Sequence, residues 1–308
     1  MKNHVSKTGR LACKAVKLST SIPVLGRQLQ DGTLRRKMQD KELPWHCPKH
    51  LEQIVISMPN FTMEFLHTKG QDDTKGVILQ LHGGGYHSGM RNKYRNLAAM
   101  YHEVSGGFSV LTIDYRVAPE HPFPAALEDA FAAYEWLLDN DYRPEQIFLA
   151  GDSAGGGLCL ALIHYLKNHK IALPKAVITM SAWTDLTKSG ESYKENFDVD
   201  PLFGRRKDTL IYSDAYYHGM DPENCYISPL MGDFHDFPPM LLQVGEYEML
   251  LDDSVLVAQK AKKQGVKVKL HIYEGMFHVF QMGELWYKES KQAWVEVGQF
   301  IRKWSRKS

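Results

Sequence analysis

Eight short runs along the chain are either continuously apolar or alternate apolar with polar residues at the two-residue period of a strand: 53–58, 61–67, 76–82, 109–115, 146–151, 176–182, 239–245 and 267–275. The first two alternate and are joined through Pro59 and Asn60, which predicts an antiparallel hairpin at one sheet edge. Later runs such as GVILQL at 76–81 and AVITM at 176–180 are apolar throughout, as strands covered on both faces by helices must be. Between them lie segments of helical period. Residues 124–140 begin at a proline and place Ala126, Phe131, Tyr134, Trp136 and Leu137 on one side of a helix. Further helices are predicted over 158–166 and 285–304. Strands alternating with helices predict an α/β fold: an eight-stranded, mostly parallel, doubly wound sheet with helices on both faces.

Two stretches break the alternation. Residues 1–48 precede the first strand, and residues 186–236 separate two strands by far more chain than a crossover needs. The expected organisation is an N-terminal cap segment (1–48), a first part of the core (49–185), a cap insertion (186–236) and a second part of the core (237–308). Both additions are read as a helical cap over the carboxyl ends of the strands, where open α/β sheets bind ligands. The insertion is rich in aromatic residues, among them Phe203, Tyr212 and Tyr216. In the cap, Leu29, Leu34 and Trp45 are expected to meet these three.

A chain of 308 residues, 44% apolar, is long enough for one large core. Its 37 basic and 36 acidic side chains nearly cancel, so nothing global points to nucleic acid as a partner, and a small substrate without strong charge is expected. The four cysteines, Cys13, Cys47, Cys159 and Cys225, have neither disulfide-framework nor zinc-ligand spacing. With no apolar run of membrane-spanning length and no signal-peptide pattern, the expected location is the cytoplasm. One asymmetry stands out: before Asp31 there is no acidic residue, against six basic ones at Lys2, Lys7, Arg10, Lys14, Lys17 and Arg27. Such an arm suits an anionic membrane or an acidic partner, although the solvated face of an N-terminal helix is the simpler reading.

The candidate chemistry begins at FLAGDSAGGGL, 148–158, where an apolar run stops at a serine between glycines. On a tight strand-to-helix turn, Ser153 would lift its hydroxyl clear of the sheet, with Gly151 and Gly155 removing the side chains that would collide. A serine nucleophile needs a base, an orienting acid and donors for an oxyanion. LHGGGYHSG at 81–89 follows the third strand, and its glycine amides, with that of Ala154, can turn into the pocket. His278, in EGMFHVF after the last strand, can act as the base. The acid is sought among Glu246, Glu248, Asp252 and Asp253 after the seventh strand, although Asp252 and Asp253 also suit the first turn of the following helix. A phosphate loop is excluded by the missing Walker lysine.

HGGGY at 82–86, DYRVAPEHPFPAALEDA at 114–130, GDSAGGGL at 151–158 and PPMLLQVGEYEMLLDDS at 238–254 together resemble the bacterial hormone-sensitive-lipase family of α/β-hydrolase esterases, over about residues 45–300. The resemblance implies an α/β-hydrolase fold and a carboxylesterase acting on short- or medium-chain acyl esters through an acyl-serine, with no metal or other cofactor. It implies Ser153 as nucleophile, His278 as base, and the amides of Gly84, Gly85 and Ala154 as the oxyanion hole, with Gly83 shaping it. The family's acid position falls on Glu248, a departure from its usual aspartate, and Glu246 and Asp252 stay open as alternatives. His82 and Asp152 are expected to orient their loops. Tyr86, Phe203, Tyr212 and Tyr216 are candidates for contacting substrate. An amide deacetylase, a lactonase or an acyltransferase would use the same residues, and a relative that binds a small ligand without turnover is a further alternative. The oligomeric state is left open, a homodimer included.

Overall fold

The computed structural model describes residues 5–39, 41–70 and 76–305. In chain order the elements are α1 (Lys7–Ser21), α2 (Pro23–Gln30), α3 (Thr33–Gln39), β1 (Leu51–Ser57), β2 (Thr62–Thr68), β3 (Val77–Leu81), α4 (Asn92–Ser105), β4 (Ser109–Asp114) and α5 (Ala125–Asp139). There follow β5 (Ile147–Asp152), α6 (Ala154–Asn168), β6 (Ala176–Met180), α7 (Ser192–Glu195), β7 (Met240–Gly245), α8 (Leu251–Lys263), β8 (Val268–Tyr273) and α9 (Lys288–Ser305). All eight predicted strands are present, within two residues of their expected ends.

The strands form one sheet in the order β1-β2-β4-β3-β5-β6-β7-β8. Only β2 runs against its neighbours, pairing antiparallel with both β1 and β4, while β4, β3, β5, β6, β7 and β8 are mutually parallel. Every residue of β3, β5, β6 and β7 is buried. Their continuous apolar character follows, because the alternating side chains feed two cores. Val77, Leu79, Leu149 and Val177 face the layer of α5, α6 and α8. Ile78, Phe148, Ala150 and Ile178 face Tyr101 of α4 and Trp294 and Phe300 of α9. Strand order reverses between β4-β3 and β5, and the carboxyl ends of β3 and β5 at such a switch point are where open α/β sheets bind ligands.

The two additions differ in kind. The first is helical, as expected, and α1 starts at an N-cap where Ser6 Oγ accepts from Gly9 N at 2.9 Å. Ser6 also donates to Glu289 of α9 through both its amide (2.6 Å) and its hydroxyl (2.8 Å), fastening the cap to the C-terminal helix. The insertion contains only the four-residue α7 and 3₁₀ turns at Leu210–Tyr212 and Pro229–Met231. Polar side chains at its edge and within it explain why: Asp185 accepts from the amides of Thr187 and Ser189, Asp200 from those of Leu202 and Phe203, and Asn224 from that of Tyr226. Such local bonds draw the backbone into turns at the expense of helix.

The two additions meet each other. Thr20 Oγ1 donates to Pro201 O at 2.6 Å, Gln30 Nε2 to Leu202 O at 2.7 Å, and Leu210 covers Gly32. Trp45 is not part of this contact. It packs with the core under α4, and its indole N–H donates to Asn96 Oδ1 at 2.8 Å, because the chain has by then left the cap and is descending toward β1.

Candidate active site

Ser153 stands between β5 and α6 with φ 50° and ψ −122°, a sparsely populated conformation that costs on the order of 1–3 kcal/mol. The surroundings impose it. Its N–H donates to Met180 O (2.9 Å) and its carbonyl accepts from Trp183 N (2.9 Å) and Gly157 N (3.1 Å). A Cβ at Gly151 would run into Gly155 O, and one at Gly155 into Leu81 O, so α6 can press against the ends of β5 and β3 only if both positions lack side chains.

Ser153 Oγ lies 2.9 Å from Nε2 of His278, which sits in the loop after β8. Nδ1 of His278 lies 3.0 Å from Oε2 of Glu248, in the loop after β7. All three side chains are buried. An acceptor-only carboxylate at Nδ1 places the imidazole hydrogen there and leaves Nε2 as the acceptor for the serine hydroxyl. The carboxylate is itself held: Oε1 accepts from Gly245 N at 2.5 Å and from Ser181 Oγ at 2.7 Å. Ser181, at φ 50°, also accepts from Val279 N at 3.0 Å, so one hydroxyl joins the loop carrying His278 to the acid.

The other candidate carboxylates lie elsewhere. Glu246 accepts from Gly275 N (2.8 Å), Asp252 from Ser192 N (2.9 Å), and Asp253 from Thr184 N (2.6 Å) and Asp185 N (2.8 Å). Glu246 thus joins the loops after β7 and β8, Asp252 joins α8 to α7, and Asp253 joins α8 to the loop after β6; among the four, His278 is hydrogen-bonded to Glu248.

The glycine loop after β3 passes over the Ser153 turn. Gly83 N donates to Asp152 Oδ1 at 3.0 Å, Gly84 and Gly85 take φ 126° and 65°, and Ala154 opens α6 beside them. Burial pushes the Asp152 carboxyl up to about 6, against the pull of the Gly83 amide. His82 is also buried, its Nδ1 2.8 Å from Gly83 O and its ring stacked on Tyr115 at 4.0 Å; burial lowers its pKa.

Of the four aromatic candidates, Phe203 meets His278 edge to face, with ring centroids 5.0 Å apart. Tyr86 and Tyr216 are fully buried and stack on each other at 3.6 Å, and Tyr212 is half-buried in its 3₁₀ turn. Leu210, the first residue of that turn, covers Gly85.

Two insertion residues that sequence reasoning passed over reach the loop of Glu248. Asn196 Nδ2 donates to Glu248 O (2.7 Å) and Glu246 O (3.0 Å). Asp200, wholly buried, accepts from Met249 N (2.8 Å) on one oxygen and from Leu202 N (2.8 Å) and Phe203 N (3.0 Å) on the other. One carboxylate therefore ties the residue after Glu248 to the ring that touches His278. Burial raises its pKa despite those three donors.

A buried serine on a strand-to-helix turn, hydrogen-bonded to a histidine that a carboxylate orients, with glycine amides alongside, is an arrangement for acyl transfer. The chain is similar to known proteins of that kind. The family described as the alpha/beta hydrolase fold matches residues 78–282. An acetyl-hydrolase of Streptomyces hygroscopicus is 36% identical over 248 residues, 80% of this chain and 82% of that protein. The carboxylesterase/phospholipase LipF of Mycobacterium tuberculosis is 33% identical over 270 residues, 84% of this chain and 71% of its own. The crystal structure of an esterase from the bacterial hormone-sensitive lipase family superposes with a TM-score of 0.85 at 33% identity, covering 98% of this chain and 99% of that one. The chain belongs to the α/β-hydrolase family, among its hormone-sensitive-lipase-like esterases.

Proposed function

We propose that this carboxylic ester hydrolase cleaves short- to medium-chain acyl esters through an acyl-serine intermediate, with Ser153 as nucleophile, His278 as base and Glu248 as the orienting acid. The observation that carries the reading is the unbroken hydrogen-bonded series from Ser153 Oγ through His278 to Glu248. Ser153 Oγ attacks the ester carbonyl while Nε2 of His278 takes its proton, and the negative oxygen settles against the amides of Gly84, Gly85 and Ala154. The intermediate collapses, His278 returns the proton to the departing alcohol, and a water activated by the same nitrogen releases the acid.

The chemistry needs no metal or dissociable cofactor, since backbone amides supply the oxyanion donors. Phe203, edge-on to His278, and Leu210, over Gly85, support a cap that limits the acyl group. Bonds from Thr20 and Gln30 to the 201–204 turn support the two additions acting as one lid. Action in the cytoplasm is supported by the cysteines, all four of which are free thiols.

Ser153→Ala is expected to fold and to lose nearly all hydrolysis of p-nitrophenyl esters, and an organophosphate is expected to label Ser153 in the unaltered protein. A chain-length panel run beside amides and lactones is expected to peak at short or medium acyl esters. Full activity in the alanine variant would end the serine-esterase reading, and faster turnover of amides or lactones would replace the substrate.

A further inference from the structure

On α1, Leu11, Ala15 and Leu18 follow one another at helical spacing, Ile22 continues the row just past the end of the helix, and all four are exposed, with Leu11 at 64% and Leu18 at 69%. Val24, two residues on, is 70% exposed. The opposite side of the helix is occupied, with Gly9 against Glu289 and Val5, Ala12, Cys13 and Val16 packed on Phe277, Phe280 and Tyr287. Among the described residues the stripe is therefore a second apolar face without a partner, on a helix that already has its place in the core. Arg10, Lys14 and Lys17 alternate with it, all exposed, and the described chain carries no acidic residue before Asp31. Beside it, Trp286 stands 86% exposed, and a groove of about 690 Å³ between the two is lined by Leu11, Ala15, Met282 and Trp286.

We infer that this face docks the protein onto the surface of a bilayer containing anionic phospholipid, with the leucines and Trp286 entering the headgroup boundary and the lysines and arginine meeting lipid phosphates. An apolar stripe flanked by cations, with an indole at its margin, is the composition that lies in such an interface. The charge selects this occupant over a second copy of the chain: a two-fold contact through the same patch would set Arg10, Lys14 and Lys17 against their own equivalents. Attachment is peripheral, since among the described residues no helix is long and apolar enough to cross a membrane. The docked face belongs to the lid, because Thr20, at the end of α1, bonds to the 201–204 turn that carries Phe203 onto His278. Esters dissolved in or bound to the bilayer would thus be met at the covering of the site.

The test uses the full chain carrying Ser153→Ala, so that binding is read without turnover and independently of the proposed hydrolysis. Sedimentation with vesicles of phosphatidylcholine plus about 30% phosphatidylserine is expected to capture the protein, and vesicles of phosphatidylcholine alone to capture much less. Raising salt to about 0.5 M is expected to weaken capture. The double variants Leu11→Glu/Leu18→Glu and Lys14→Glu/Lys17→Glu, all at exposed positions, are expected to lower partitioning by at least about tenfold. In protein that keeps Ser153, both are expected to leave thermal stability and turnover of a soluble acetate ester unchanged. Equal capture by both vesicle types, or unweakened capture of either double variant, overturns the inference. So does a concentration-dependent dimer that Leu11→Glu/Leu18→Glu dissociates in the absence of vesicle binding, which would make a second copy the occupant.

Discussion

Replacing Glu248 with glutamine tests the proposed relay at its least forgiving point. Oε1 accepts from Gly245 N and Ser181 Oγ, while Oε2 faces Nδ1 of His278. A main-chain N–H can only donate, so the glutamine must turn its carbonyl oxygen toward Gly245 and its NH₂ toward His278. Two N–H groups cannot face one another. His278 must then accept at Nδ1 and carry its hydrogen on Nε2, where it points at Ser153 and cannot receive the serine proton. Loss of the charge-assisted bond alone, about 1.5–3 kcal/mol, would cost roughly 10- to 150-fold. Reversal of the tautomer raises the expected loss in kcat to about 10⁴, or roughly 5.5 kcal/mol, the scale found when an amide replaces the acid of another triad. The assay is kcat and KM on a soluble p-nitrophenyl ester, with thermal unfolding to establish that the variant is folded. A folded Glu248→Gln within about tenfold of the unaltered enzyme would refute the reasoning. Greater damage from Glu246→Gln or Asp252→Asn would move the acid elsewhere.

Other outcomes follow from the surroundings of the site. Asp200→Asn leaves only one good acceptor for three amides, so a loss of about 1–3 kcal/mol in stability and a fall in kcat larger than any rise in KM are expected; unchanged kcat with reduced thermal stability would make Asp200 purely structural. His164, buried with Nε2 3.0 Å from Pro229 O, is held down to about 4 by burial, so between pH 6.5 and 4 the unfolded chain takes up a proton that the folded chain refuses. Stability from this group is full above pH 6.5 and is lost as pH falls toward 4, by about 2 kcal/mol between pH 7.5 and 5. Comparing urea unfolding of the unaltered protein and His164→Gln at both pH values isolates this contribution from the opposite one of Asp152, whose raised pKa favours the folded state on acidification. An equal pH response in the two proteins would refute the assignment.

Buried parallel strands announce themselves because both faces demand apolar side chains, which is why GVILQL and AVITM could be placed from sequence. The serine turn was legible for a related reason: only glycine tolerates the approach of α6 to β5 and β3, and that requirement is written in Gly151 and Gly155. The proposed acid was not legible from spacing. Glu246, Glu248, Asp252 and Asp253 lie within eight residues, each satisfied by some amide or hydroxyl, and which of them faces His278 depends on how the loop after β7 folds back. The insertion was read as helical because it holds far more chain than a crossover needs, whereas Asp and Asn side chains at its edge and within it commit the backbone to turns. Ser181 and Asn196 carried no signal, and Asp200 signalled only its own turn, because the partners that tie the three to the site lie 67, 52 and 49 positions away.

Asn196 and Asp200 grip the loop of Glu248 only through main-chain atoms: the carbonyls of Glu246 and Glu248 and the amide of Met249. Any residue other than proline offers the same amide, and every residue offers the same carbonyl. The gripped positions can therefore drift in identity while the grip persists, and paired substitutions, which report side chain against side chain, would leave this attachment without a trace. For anyone exchanging insertions between such hydrolases to alter selectivity, the consequence is concrete. The transplanted piece brings its own fasteners and asks of the recipient a loop of the right shape, whatever its sequence; a piece lacking the two residues would loosen the proposed acid from a distance while appearing to touch only the roof.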